Sequence, residues 1–205
     1  TPTRPPASAP AAAPATTAEA PPPKDATAKT SDPIEFHLVA RADVAGDLGS
    51  LAVPALGPGL GIGVLLDRVR LEVTAIYLPP ADIDVAIGGR TESVAELRLL
   101  TVGVDSCFAL WNRAVSVGPC LGAEYGSVWG RGYGLTVNYA GAASWFAAFA
   151  GARATWWLSP ALGVGVAIHA GLPLPHTRFT VTGIPDVHET GPVIGRARLG
   201  VEGRL

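Results

Sequence analysis

Charged residues in this chain recur two positions apart: Arg41 with Asp43, Arg70 with Glu72, Glu96 with Arg98, Arg196 with Arg198, and Glu202 with Arg204. Glu35, Asp105, Glu124 and Arg153 stand singly in stretches of the same texture. A spacing of two puts both members of a pair on one face of a β-strand. The set is close to balanced in sign and holds no lysine, because Lys24 and Lys29 both lie near the N-terminus. Arginine pairs bidentately with carboxylate through its planar guanidinium, so the chemistry these residues suit is an enclosed ion-pair network. Glycines at 59, 61, 63, 118, 122, 126, 151, 163, 165 and 171 fall mostly on the same faces and leave room for long side chains.

Other chemistry is poorly supported. His37, His169, His176 and His188 have no close metal-ligand spacing. A hydrolytic site needs a His, a Ser and an acid brought together, and nothing singles out such a set. The stretch GPGLGIG at 57–63 repeats glycine every second residue with no helix after it, so it reads as a strand and not as a nucleotide loop. SVAE at 93–96 matches a helix capping box, but the surrounding alternation argues against a helix. The expectation is therefore no catalytic residue, no metal and no cofactor.

Strands must position the charges, and alternation locates eight of them. EFHLVARADV sets Phe36, Leu38, Ala40, Ala42 and Val44 against Glu35, His37, Arg41 and Asp43. GLGIGVLL sets Leu60, Ile62, Val64 and Leu66 against glycines, and Asp67-Arg68 turns into VRLEVTAIYL. A longer polar loop, PPADIDVAIGGRTES, precedes VAELRLLTVGVDSCFAL, whose Glu96 and Arg98 are expected on the charged face with a bulge or face switch before Asp105 and Cys107. SVGPCLGAEYGSVW, WFAAFAGARATWW, GVGVAIHAGL and GRARLGVEGRL complete the series. The connections alternate long and short, with the short turns on the side of both termini. The long connection before the last strand contains alternating pieces of its own.

Composition is consistent with this reading. The 205 residues are 48% hydrophobic with net charge −2, which gives no electrostatic case for nucleic acid. Mean hydropathy is +0.32, yet no run of 18 or more residues reads as a membrane-spanning helix. The chain has no Met, which suggests a mature or excised segment. Residues 1–33 are dominated by Pro, Ala and Thr and offer almost nothing to bury, so they are expected to be a disordered, partly extended linker.

The apolar faces are nearly free of charge, with Tyr77, Tyr125, Trp129 and Trp156 near strand ends where interfacial aromatic girdles sit. Together with the short-turn and long-loop alternation, this predicts an all-β, eight-stranded antiparallel up-and-down transmembrane barrel over residues 34–205. Apolar residues would face lipid and charges the lumen. The expected lumen network is Arg41, Asp43, Arg70, Glu72, Glu96, Arg98, Glu124, Arg153, Arg196, Arg198, Glu202 and Arg204. Pairing Cys107 with Cys120 across adjacent strands places Leu110 opposite Val117, a hairpin register that brings the two cysteines close enough for a disulfide.

The eight strands, the C…GPCLGAEYG hairpin and the alternating last strand resemble small outer-membrane barrels of the OmpA, OmpX and OmpW kind, closest in texture to barrel proteins of high-GC Gram-negative bacteria. Such barrels commonly end on Phe, where this chain has Leu205. The resemblance implies an outer-membrane location with periplasmic termini, contact with membrane lipid, and insertion by the barrel-assembly machinery. The functional expectation is a non-enzymatic anchor that displays external loops and carries a periplasmic or upstream segment through the linker. The alternatives are a channel or carrier for a small or hydrophobic ligand, a lipid-modifying enzyme, and a soluble lipocalin-like barrel.

Overall fold

The computed structural model describes residues 36–87, 90–132, 140–174, 178–181, 184–189 and 191–205. The Pro/Ala-rich stretch and Glu35 lie outside the described residues. Alternation becomes strand throughout, giving β1 (Phe36–Leu48), β2 (Ala55–Leu66), β3 (Val69–Ile87), β4 (Arg90–Phe108), the two-residue β5 (Trp111–Asn112), β6 (Val115–Gly132), β7 (Ala140–Trp157), β8 (Leu162–Pro173), β9 (Arg178–Val181), β10 (Ile184–Glu189) and β11 (Ile194–Arg204).

Eight long strands pair antiparallel with their sequence neighbours, β4 pairs β6, and β11 pairs both β8 and β1. The sheet thus closes on itself into a barrel with no free edge among these strands. The seam runs from Val39 opposite Arg204 to Leu48 opposite Gly195. Short connections and the C-terminus lie at one end, the terminal end, and the longer connections at the other, the loop end. In the tight turn between β2 and β3, Asp67 adopts a positive φ of 49°, a conformation that short polar side chains tolerate and a two-residue hairpin requires. β9 and β10 form a separate two-stranded sheet within the long connection before β11.

The structure departs from the sequence reading in three places. The polar loop expected at 79–93 is mostly strand: β3 and β4 each run 19 residues. At Pro79-Pro80, where two backbone N–H groups are missing, a bulge shifts the register between Leu78 and Ala81. Second, β4 alternates without a face switch, so Glu96 and Arg98 point outward while Leu97 and Leu99 point in. Third, Trp111, not Leu110, stands opposite Val117. Cys107 is directly opposite Cys120, so one extra residue is taken up between the two pairs.

Candidate functional site

The lumen is where the charged residues meet. Working inward from the terminal end, Glu72 on β3 accepts from three arginines on three strands: Arg41 Nε at 3.0 Å, Arg70 Nε at 2.8 Å and Arg153 NH1 at 3.0 Å. Arg70 also reaches Glu202 on β11, with NH1 3.1 Å from Oε1. Arg41 pairs with Asp43 two residues along its own strand. Arg198 bridges Asp43 at 3.3 Å and Asp105 at 3.1 Å. Higher up, Arg196 joins Asp47 at 2.7 Å and Glu124. Five arginines (41, 70, 153, 196, 198) thus face six carboxylates (43, 47, 72, 105, 124, 202) across the interior.

Every ionic side chain in this set is buried except that of Asp105, which is 15% exposed. An isolated buried charge costs several kcal/mol in desolvation, about as much as a good pair returns, so such charges persist only as a fully interlocked set. Glycine makes the interlock possible. A Cβ on Gly59 would overlap Asp43 Oδ1, one on Gly61 would overlap Glu72 Oε1, and one on Gly122 would overlap Asp105 Oδ1. These close approaches are what the alternating glycines in β2 and β6 provide.

Of the residues predicted for the network, Arg41, Asp43, Arg70, Glu72, Glu124, Arg153, Arg196, Arg198 and Glu202 come together in the lumen. Arg204 lies at the terminal mouth, its guanidinium stacked 3.5 Å from the centre of the Trp157 ring. Glu96 and Arg98 sit on the outer wall, where Arg98 stacks over Trp129 at 5.3 Å. His169 faces the lumen and meets Phe149 edge-on, with ring centres 6.4 Å apart. His37 faces inward at the terminal end, half-buried, and His176 and His188 fall where side chains lie outside the described set.

Sequence reasoning misses two members. Asp47 extends the series Arg41, Asp43 by the same period, but the alternating pattern that defines the strand stops at Val44. Its carboxylate holds Arg196 and also accepts from Ser50 N at 3.1 Å and Ser50 Oγ at 2.9 Å. Trp145, only 1% exposed, donates its indole N–H to Glu124 Oε1 at 2.7 Å. No charge marks that strand end, so no signal distinguishes its inner from its outer face.

Above the ionic layer the lumen turns apolar. Leu78, Leu97, Leu99, Val128, Trp145, Ala147 and Ile194 form a buried cluster toward the loop end. Leu51, from the connection between β1 and β2, folds into the same cluster at 2% exposure. Gly49 makes that inward fold possible with φ of +94°. Charge therefore fills the lower lumen and hydrocarbon the upper. At the terminal end, Cys107 and Cys120 are joined by a disulfide across β4 and β6, with Cα atoms 4.1 Å apart.

The outer wall is the inverse of the lower lumen. Leu60 and Ile62 are each 63% exposed, and Val44, Val73, Val104, Leu121, Ile168 and Leu199 are exposed beside them. Aromatic residues bracket this belt: Phe36, Phe108, Trp111 and Trp156 toward the terminal end, Tyr125 and Phe146 toward the loop end. From Phe146 to Trp156 on β7 is ten residues. At ~3.3 Å per residue and a strand tilt of about 40°, that spans roughly 25 Å of height, the thickness of an outer-membrane apolar band.

No protein-family model and no characterised protein sequence matches the chain. Solved structures do. A major outer membrane protein from Thermus thermophilus superposes with a TM-score of 0.61 at 15% identity, covering 82% of this chain and 99% of that one. OprG, an outer membrane protein from Pseudomonas aeruginosa, gives 0.53 at 10% identity over 84% and 97%. Ail, the attachment invasion locus protein of Yersinia pestis, in its complex with the heparin analogue sucrose octasulfate, gives 0.50 at 12% over 84% and 99%. The chain has the fold of the small eight-stranded outer-membrane β-barrels.

Proposed function

We propose that this chain is an integral outer-membrane barrel that serves as an anchor and display platform and is not an enzyme. The observation that carries the reading is the pairing of an apolar, aromatic-bracketed outer wall with a lumen filled by side chains. A water-exposed sheet presenting so many leucines, isoleucines and valines on its outer wall would aggregate; lipid is the solvent that suits it. Among the described residues the lumen is filled by interlocked ion pairs below and packed hydrocarbon above, which argues against an open conduit.

On this reading both termini face the periplasm, the direction set by the short turns at the terminal end. The long connections, with the extension of β3, β4, β6 and β7 past the belt, face the exterior. The barrel would be inserted by the assembly machinery, held by outer-membrane lipid, and attached to a periplasmic or upstream segment through residues 1–33.

Fractionation and a gel test the proposal together. The protein should stay in the membrane pellet until detergent extraction and migrate differently boiled and unboiled. Reconstituted in planar bilayers, it should give no steady conductance. A chain that washes off membranes and migrates identically in both gel conditions overturns the anchoring role. Steady ion currents would favour a channel.

A further inference from the structure

The terminal mouth of the lumen holds a feature that neither the anchoring role nor the ion-pair network uses. A cavity of about 30 Å³ opens there, lined by Arg68, Arg70, Arg153 and Arg204 with Trp157 and Cys107. Among the described residues no carboxylate lines its wall. Glu72 and Glu202 lie behind the wall, drawn to Arg70 NH2 at 2.7 and 2.8 Å. Glu72 is shared among Arg41, Arg70 and Arg153, so the nearest carboxylate is divided among three cations.

The buried donors at the cavity without a hydrogen-bond acceptor include Arg153 Nε and Trp157 Nε1. Arg153 as a whole is only 8% exposed, its NH1 committed to Glu72 at 3.0 Å. Arg204 stacks on the Trp157 ring, which fixes the indole and leaves its N–H as the free edge. Buried donors without partners are uncommon in folded proteins and mark a place where an acceptor belongs. Both of these open valences are donors, and the charged residues among the described lining, which also carries the Ser116 and Thr155 hydroxyls, are all arginines. An anion with acceptor oxygens would satisfy both donors and suit the arginine lining.

We propose that this mouth binds the oxyanion head of a phosphate- or carboxylate-bearing ligand, which accepts from Arg153 Nε and Trp157 Nε1 beneath the arginine wall. A single water needs about 10–15 Å³ of such space. The cavity therefore admits an oxyanion head and leaves the remainder of the ligand outside the mouth. The site depends on the barrel fold and not on the anchoring role, so either can fail alone.

The test is calorimetric titration of the full chain, folded in detergent with chloride as background salt, using inorganic phosphate and acetate as separate probes. Saturable binding of at least one probe is expected. Trp157→Phe keeps the ring beneath Arg204 and removes only the donor, and should weaken binding about tenfold, the loss of one hydrogen bond to a charged group. Arg153→Lys keeps a cation near Glu72, removes Nε, and should weaken it at least as much. Tighter phosphate binding assigns the head as a phosphate, and tighter acetate binding as a carboxylate. Failure of both probes to saturate overturns the site. So does affinity unchanged in Trp157→Phe, a variant whose fold heat-modifiability would verify independently of Arg153→Lys.

Discussion

The two halves of the lumen solve one packing problem by opposite means. The lower half is filled with arginine and carboxylate, held by direction-specific bonds in which Glu72 alone meets three arginines on three strands. The upper half is filled with leucine, valine, alanine and tryptophan, which fit chiefly by volume. The difference follows the surroundings of the wall. On the proposed membrane placement, outward positions within the apolar belt meet lipid, so charged groups turn inward and find partners there. Above the belt water returns to the outside, and the preference reverses: Asp82, Asp84 and Arg98 point out while Ile83, Leu97 and Leu99 turn in.

The largest effect should come from the hub of the ionic half. Glu72→Ala would strip an acceptor from Arg41, Arg70 and Arg153 at once and leave buried cations short of partners, costing about 3–5 kcal/mol. Denaturant unfolding in detergent or lipid would measure it, and because the layer is buried the loss should change little with added salt. Leu99→Ala, at 1% exposure in the apolar half, should cost about 2–5 kcal/mol through the cavity it leaves. Rescue by Leu99→Met but none by Glu72→Gln would show that one half is fixed by volume and the other by charge.

Gly59→Ala should cost about 1–3 kcal/mol, since its methyl group must displace the Asp43 carboxylate from Arg41 and Arg198. The same change at Gly141, where an added Cβ meets nothing within 4 Å, should leave the unfolding midpoint close to that of the parent. Arg98→Ala makes the smallest change, within about 0.5 kcal/mol, because that side chain lies on the outer wall in water. A loss from Arg98→Ala as large as that from Arg196→Ala would return Arg98 to the lumen and undo the contrast.

The ionic half is legible in the sequence because the charge period and the glycine period coincide. Arg41, Asp43, Arg70, Glu72, Glu202 and Gly61 fall on one face by spacing alone. The apolar half is not legible in that way, because one rule, charge inward, fails past the level where lipid ends. That rule places Glu96 and Arg98 inward. Counting back by twos from Cys107 and Asp105 through Gly103, Thr101 and Leu99 puts them outside. Asp47 and Trp145 are lost to strand ends, where a period of two has too few repeats to fix the face. The inward fold of Leu51 depends on a connection whose path only the closed barrel determines.

The direct test of a lipid-facing barrel is the accessibility of single spin labels at Leu60, Ile62, Leu199 and Val201 in reconstituted bilayers. All four should be relaxed by oxygen, which concentrates in hydrocarbon, and shielded from a water-soluble nickel chelate. Relaxation by the nickel chelate at these positions would place the apolar wall in water and contradict the account.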